Sequence, residues 1–365
     1  MKSNSLRRRD IQALRGVAVL LVVLFHSNEK LFTSGYLGVD IFFVISGFVV
    51  MPMIVQLFTS SSNETFGYRL YQFYLRRFYR LAPSFASLLV STSLFMILIG
   101  SPSDHHRFVR QGLSSLLLLG NFGAYRYAGD YFSPNPNPLI HTWSLSVEEQ
   151  IYLLLPLILV VIIPPMSRTF RNFKFTIILL FMISFFSFVF PQIYERIYTL
   201  IQIDGAANFA FYSALTRSWQ FLIGGIAALA VDEFKPSRAI ETKRRNLIYL
   251  FVMITFLFQS SNFEIRINSI FVSGITLSII LSSSLNMIPK KILYILEWVG
   301  NRSYSIYLFH MPIIYFFCHS QIFNFLNRVN QFEFLLISVS SSLTIGSINY
   351  NLIEKRYRIT SRYEK

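Results

Sequence analysis

Long apolar runs are the feature that most restricts what this chain can fold into. Several of them approach or exceed the ~20 residues that a helix needs to cross a bilayer. Hydrophobic residues make up 53% of the chain and charged residues only 14%, whereas a soluble domain carries about 25% charged residues. The alternating ten-residue segments that are typical of membrane β-barrels are absent from the sequence. The pattern therefore predicts an all-α, polytopic membrane helical bundle.

About ten segments are predicted to span the membrane, within a single domain that covers residues 1–365 and has its core over about 8–356. The predicted spans are 11–27, 38–58, 82–100, 147–163, 173–190, 211–231, 247–260, 265–285, 303–319 and 332–352. A further apolar piece, 112–122, is too short to span and is expected to lie in the membrane interface.

Basic residues are divided unevenly between alternate connecting segments. If the N-terminus is cytoplasmic, 24 of the 33 Lys and Arg residues fall in inside segments and 7 in outside loops. Cytoplasmic loops of membrane proteins carry such an excess of positive charge. We therefore expect both termini in the cytoplasm. The net charge of +15 is attributed to this orientation, and no nucleic-acid partner is expected.

The first predicted span carries two ionisable residues, Arg15 and His26, in an otherwise apolar stretch. Eleven residues at ~100° each place both side chains on one helix face, ~16 Å apart along the axis. In one interpretation, Arg15 reaches the inner headgroups and His26 lies in the outer interface. In the other, both line a polar track, since a buried ionisable residue costs roughly 3 kcal/mol. Neutral His26 is then suited to act as a general base on a hydroxyl.

Acidic residues are expected near the outer end of the same helix bundle. Asp40 begins the second span at the level of His26, where it either complements the helix dipole or orients the imidazole. Glu148 enters the apolar fourth span with no evident structural role, while a Ser-x-x-Glu capping box accounts for Glu149. Together with His141, these side chains are predicted to crowd one outside-facing level of the membrane.

Three arginines, Arg76, Arg77 and Arg80, precede the third span on the cytoplasmic side. Spacings of three and four residues allow Arg80 to share a helix face with either of the others. Such a cluster either sets orientation through lipid headgroups or binds the phosphates of a ligand, which guanidinium groups hold in a bidentate manner.

Two further residues in the spans need partners or an explanation. Arg217, near the outer end of the sixth span, is expected to pair with Asp40 or Glu148, and His310 is interpreted as a satisfied core histidine. No HExxH motif, Cys/His cluster or Gly-rich phosphate loop occurs, so no metal is expected. The single cysteine, Cys318, excludes an internal disulfide.

Taken together, the motifs resemble acyltransferase family 3, integral membrane proteins that O-acylate sugars, chiefly in bacteria. The stretches that carry the resemblance are Arg15-x10-His26, "GYLGVDIFFVISGF", "RRFYRLAPSF", "HTWSLSVEEQIY", "RSWQFLIGG", "NRSYSIYLFHMP" and "IEKRYR", in that order along the chain. The resemblance implies a ten-helix core, a cytoplasmic acyl-CoA donor that is usually acetyl-CoA, and a glycan hydroxyl as acceptor on the outer side.

The resemblance also assigns roles to individual residues. It implies that His26 is the essential histidine and that Arg15 is its companion. It implies that Arg77 and Arg80 match the motif linked to the CoA moiety, and that Glu148 occupies the acidic position of the Trp-Ser-Leu motif.

These expectations define an O-acetyltransferase of the bacterial inner membrane, surrounded by lipids. It would use acyl-CoA as donor substrate, hold no bound cofactor and act on a cell-surface glycan or its lipid-linked precursor. The C-terminal SGNH domain of some family members is absent from the sequence, so a stand-alone enzyme is expected. Two alternatives stay within the family: another acyl group, such as succinyl, or a non-glycan acceptor. A glycolipid or small-molecule transporter is the alternative of another class, and inverted repeats would be expected for it.

Overall fold

The protein is described here by a computed structural model that covers residues 8–59, 64–128, 131, 136–162, 173–200, 206–234, 265–282 and 288–357. Every regular element among these residues is helical. The α-helices are α1 Arg9–Ser27, α2 Gly38–Thr59, α3 Phe66–Ile99, α4 His105–Leu116, α5 Gly120–Gly123, α6 Thr142–Ile162, α7 Phe173–Leu200, α8 Ala206–Tyr212, α9 Ala214–Phe234, α10 Ile265–Ser282, α11 Lys290–Asn301, α12 Ser303–His319 and α13 Gln331–Asn349.

Seven helical segments in the described part of the chain are long and apolar enough to cross a membrane. They are Arg9–Ser27, Gly35–Thr59, Phe66–Ile99, Thr142–Val160, Phe175–Ile197, Phe209–Val231 and Gln331–Tyr357. Two of the other predicted spans correspond to shorter helices, α10 and the 17-residue α12. The remaining predicted span, 247–260, lies outside the described residues. The all-helical class is thus confirmed.

The third span begins much earlier than the sequence predicts. Helix α3 starts at Phe66, where the Thr65 side chain accepts a hydrogen bond from the Tyr68 amide, and it continues through Pro83 to Ile99. The predicted start of this span at residue 82 is therefore wrong, and Pro83 lies inside the helix. An interior proline removes one backbone hydrogen bond, and helices within a membrane protein tolerate that loss. Arg76, Arg77 and Arg80 consequently lie on the same helix as the apolar span.

Helices α2 and α9 make the most extensive helix–helix contact in the described structure. Gly47 faces the α9 backbone so closely that a Cβ atom added to it would lie 1.8 Å from the Phe221 carbonyl oxygen. A Cβ atom on Gly224 would lie 2.1 Å from the Val44 carbonyl oxygen. Small residues permit such an approach of membrane helices, and Gly47 and Gly224 therefore allow α2 and α9 to pack in close contact.

Helix α12 lies at the centre of the bundle. Every residue from Ser305 to Phe316 is buried, and the helix packs against α1, α3 and α13. Any polar side chain on this stretch therefore faces other helices rather than lipid. This position brings residues of α12 close to those of α1 and to the start of α6.

Candidate active site

A cavity of about 620 Å³ opens between α2, α3, α6 and α12. Its lining includes the three arginines that the sequence analysis singled out for the site, Arg15, Arg77 and Arg80, together with Glu148 and Glu149. The structure therefore brings residues from α1, α3 and α6 to one chamber. Cavities that bind small ligands usually measure about 300–1,000 Å³, so the volume suits a bound substrate.

Arg77 is held in place by aromatic and acidic neighbours. Its guanidinium carbon lies 3.2 Å from the ring centre of Tyr152, and Nη2 lies 3.8 Å from Glu149 Oε1. The Tyr152 hydroxyl donates to Glu148, which also accepts a hydrogen bond of 2.5 Å from Ser46 Oγ. Glu148 thus fixes the tyrosine ring that stacks against Arg77.

Glu149 is a cavity residue that the sequence analysis missed. The proposed capping box is wrong, because α6 already begins at Thr142 and Ser146 Oγ accepts a hydrogen bond of 3.0 Å from the Gly120 amide. Glu149 is free of that role and faces Arg77 instead. The signal that could have revealed it is the pair of adjacent carboxylates in an apolar span, which demands a cationic partner.

Three histidines meet in the interior of the bundle. The ring centre of His310 lies 5.1 Å from that of His26 and 5.2 Å from that of His141. His141 and His310 are completely buried, and Nε2 of His310 has no hydrogen-bond partner among the described residues. His310 is therefore a core histidine, as expected, but only its Nδ1 has a hydrogen-bond partner, the Tyr307 carbonyl oxygen. We call His26, His141 and His310 the histidine cluster.

Tyr307 connects the histidine cluster with the cavity. Its ring centre lies 5.3 Å from that of His310 and 5.6 Å from that of His141. Its hydroxyl donates to the His141 carbonyl oxygen at 3.0 Å and lies 2.6 Å from Ser144 Oγ. Both Tyr307 and Ser144 line the cavity, whereas the described lining does not include the three histidines. Tyr307 therefore lies between the cavity and the histidine cluster.

The predicted acidic partner of His26 lies elsewhere. His26 Nδ1 is 2.9 Å from the Val22 carbonyl oxygen of the preceding helical turn. Asp40 instead forms a buried ion pair with Arg217, with 3.2 Å between Oδ1 and Nη1, and it accepts a hydrogen bond from Ser269. The expected pairing of Arg217 with Asp40 is thus confirmed. The expected orientation of His26 by Asp40 or Glu148 is not observed, because a backbone carbonyl takes that place.

Comparison with known proteins identifies the family of this helical chain. A family model described as an acyltransferase domain matches residues 8–348. The chain belongs to this acyltransferase family. No solved structure matches it.

Curated relatives of this acyltransferase chain are bacterial proteins. "Putative peptidoglycan O-acetyltransferase YrhL" of Bacillus subtilis is 28% identical over 95% of this chain and 54% of its own length. A Staphylococcus aureus protein named "Putative O-acetyltransferase" is 26% identical over 95% of this chain and 57% of its own. "Peptidoglycan O-acetyltransferase OatA" of Listeria monocytogenes is 26% identical over 84% of this chain and 49% of its own. The chain spans about half the length of these relatives.

Proposed function

We propose that this chain transfers an acetyl group from cytoplasmic acyl-CoA to a hydroxyl of a cell-wall glycan or its lipid-linked precursor. The observation that carries the proposal is a buried histidine cluster separated by one side chain, Tyr307, from an arginine-lined cavity. The acceptor class rests on the names of the relatives, two of which refer to peptidoglycan. Residues 1–365 act as one membrane domain in this proposal.

The cavity is the proposed site of the donor. Arg77 and Arg80 would hold the phosphates of CoA, which guanidinium groups bind well. Arg15 projects into the same cavity and would guide the acyl arm toward Tyr307. Glu148 acts indirectly in this scheme, because it fixes the Tyr152 ring on which Arg77 lies.

The proposed reaction is a direct transfer with His26 as general base. The acceptor hydroxyl gives its proton to His26 Nε2 while its oxygen attacks the thioester carbonyl carbon. The carbon–sulfur bond then breaks, and the CoA thiolate leaves and takes up a proton. Asp40 supports the site from a distance in this scheme, because its pair with Arg217 joins α2 to α9. No metal and no resident cofactor takes part.

The reaction requires a defined orientation in the bacterial inner membrane. We propose ten spans with both termini in the cytoplasm, as the distribution of Lys and Arg predicts. Arg77 and Arg80 then face the cytoplasmic pool of acyl-CoA, and the C-terminal end of α1, with His26, faces the acceptor.

Replacement of His26 by Asn tests the proposed function. Asn keeps a donor for the Val22 carbonyl but lacks the Nε2 base, so we expect transfer to fall by about 10²–10⁴-fold. The assay follows thiol release from acetyl-CoA and O-acetyl groups on an added glycan, with purified protein in lipid nanodiscs. His105→Asn is the matched control, since His105 also bonds a backbone carbonyl but lies outside the cluster. Full activity of His26→Asn would refute the role of His26 as general base. A wild-type protein that leaves acetyl-CoA intact would favour the alternative of a transporter.

Replacement of both Arg77 and Arg80 by Gln tests the donor site. Loss of two guanidinium groups should raise the KM for acetyl-CoA by about tenfold or more and leave the KM for the glycan within about twofold, since a charge-assisted hydrogen bond is worth about 1.5–3 kcal/mol. Arg76→Gln is the control, because the described cavity lining does not include Arg76. If the double variant and the control have the same KM for acetyl-CoA, Arg77 and Arg80 do not bind the donor and serve only to orient the protein in the membrane.

A further inference from the structure

His310 lies within the histidine cluster, but the proposed transfer reaction uses His26 alone. It projects from the buried helix α12, and its imidazole is fully inaccessible to solvent. Its ring centre is 5.1 Å from that of His26, close enough for ring nitrogens of the two residues to approach each other. The structure thus places a second imidazole beside the proposed base.

Both imidazoles are oriented in the same way by backbone carbonyls. Nδ1 of His26 is 2.9 Å from the Val22 carbonyl oxygen, and Nδ1 of His310 is 2.6 Å from the Tyr307 carbonyl oxygen. A carbonyl oxygen can only accept a hydrogen bond, so each Nδ1 must carry the proton. In the neutral rings, Nε2 of each histidine therefore holds the free lone pair.

The two Nε2 atoms share one further property. Each is shielded from solvent and has no hydrogen-bond partner among the described residues. Buried polar atoms in proteins are almost always hydrogen-bonded, so two neighbouring acceptors in this state call for a proton donor. A single proton brought between them would satisfy both atoms, because it would be bonded to one nitrogen and donated to the other.

We propose that His310 and His26 form a proton-sharing pair that carries the acceptor's proton during acyl transfer. The inference rests on the proposed function. The hydroxyl proton moves to His26 Nε2 as the new carbon–oxygen bond forms, and then to His310 Nε2. When the carbon–sulfur bond breaks, the thiolate takes this proton, and both rings return to their neutral state. The proton released by the acceptor is the proton that the leaving thiol requires.

Other polar rings also surround the pair, and both ring nitrogens of His141 are buried without a hydrogen-bond partner among the described residues. His141 and the ring of Tyr131 face the pair, at 5.2 Å from His310 and 5.4 Å from His26 respectively. The Tyr307 hydroxyl donates its hydrogen bond to the His141 carbonyl oxygen, so its proton is not available to the pair. Because Tyr307 also lines the cavity, its contact with His310, at 5.3 Å between ring centres, connects the pair with the proposed donor site.

Solid-state NMR of protein labelled with ¹⁵N-histidine in bilayers tests the pair without any substrate. On mild acidification we expect a strongly deshielded proton that correlates with ring nitrogens of both His26 and His310. His310→Asn keeps a donor for the Tyr307 carbonyl but removes Nε2, so the signal should disappear. His319→Asn is the matched control, because His319 lies on the same helix with its Nδ1 at the Tyr315 carbonyl oxygen. Absence of the signal in the wild type, or its survival in His310→Asn, would overturn the pair.

A kinetic measurement on the same variants separates this proposal from the proposed function. His310→Asn should lower kcat by about 100-fold and leave the KM for acetyl-CoA within about twofold, while His319→Asn should resemble the wild type. Wild-type kcat in a folded His310→Asn protein would overturn the relay. If acetyl-CoA is not consumed by the wild type but the shared proton is observed, the acyl-transfer function fails and the histidine pair stands.

Discussion

The ion pair between Asp40 and Arg217 is the most deeply buried one among the described residues. Only 4% of the Asp40 side chain and 9% of the Arg217 side chain are exposed. Removal of one partner from such a pair leaves a charge without compensation in a medium of low polarity, which costs far more than loss of a surface contact. Loss of either partner alone should therefore weaken the contact between α2 and α9.

Replacement of Asp40 by Asn should destabilise the folded protein. We expect the free energy of unfolding to fall by about 3–5 kcal/mol, since Arg217 is left without its carboxylate. Denaturant titration in detergent micelles measures this change. The matched control is Glu195→Gln, because Glu195 pairs with Arg266 at 2.8 Å but both side chains are about one-third exposed, which makes the expected loss about 0–1 kcal/mol. An Asp40→Asn protein that is as stable as the control but inactive would return Asp40 to a direct catalytic role.

Residues of one helix could be predicted better than contacts between helices. Helical periodicity placed Arg15 and His26 on one face, and the cost of a buried charge predicted a partner for Arg217. The contacts of Glu149 with Arg77 and of His310 with His26 depend on how distant helices pack. Spacing within a single helix carries no information about that packing, so the need of Glu149 for a cation could be predicted but the partners in these two contacts could not.

At the level of helices, the close approach of α2 and α9 depends on two glycines. Gly47 and Gly224 each face a backbone carbonyl of the opposite helix, with no room for a methyl group. Because lipid tails are as apolar as the helix surfaces, van der Waals contact between such surfaces drives association in the membrane. The contact also holds Asp40 and Arg217 within reach of each other.

Replacement of Gly47 by Ala should separate these two helices. The added Cβ atom would lie 1.8 Å from the Phe221 carbonyl oxygen, so α2 must shift. We expect a loss of about 1–3 kcal/mol in the free energy of unfolding, as in other overpacked interiors. Gly274→Ala is the control, because its Cβ position is open, and there the gain in helix propensity should stabilise α10 by up to about 1 kcal/mol. Equal stability of the two variants would show that the helices are not in close contact.

Helix type could be predicted from the sequence, but helix boundaries could not. The apolar composition of the third span is evident, yet α3 extends sixteen residues further toward the N-terminus than its predicted start. The extension is rich in polar and aromatic residues. The Thr65 cap and the burial of Arg69 and Phe73 stabilise it. A hydropathy pattern detects the apolar part of a long helix but not a polar extension of the same helix.

Across the whole molecule, the first two spans define the orientation that the proposed reaction needs. Lys30 lies in the exposed turn between α1 and α2, and Glu64 lies in the exposed segment before α3. Because α2 is long and apolar enough to cross the membrane once, the proposed topology places the two positions on opposite sides.

Cysteine labelling of whole cells tests this orientation. In a Cys318→Ser background, Lys30→Cys should react with a membrane-impermeant maleimide added to cells whose inner membrane is intact. Glu64→Cys should react only after that membrane is permeabilised. The unsubstituted Cys318→Ser protein is the control for background labelling. The reverse pattern would place the arginine-lined cavity on the outer side and exclude cytoplasmic acyl-CoA as the donor.

Tyr307 lines the cavity on one side and contacts two histidines on the other. In the proposed reaction, this aromatic side chain would let an acyl group and a proton pass between the two sides without a continuous column of water through the bilayer. A protein that carries out the proposed transfer in this way would modify the cell envelope while the membrane stays electrically insulating, so that ion gradients are not spent on the modification.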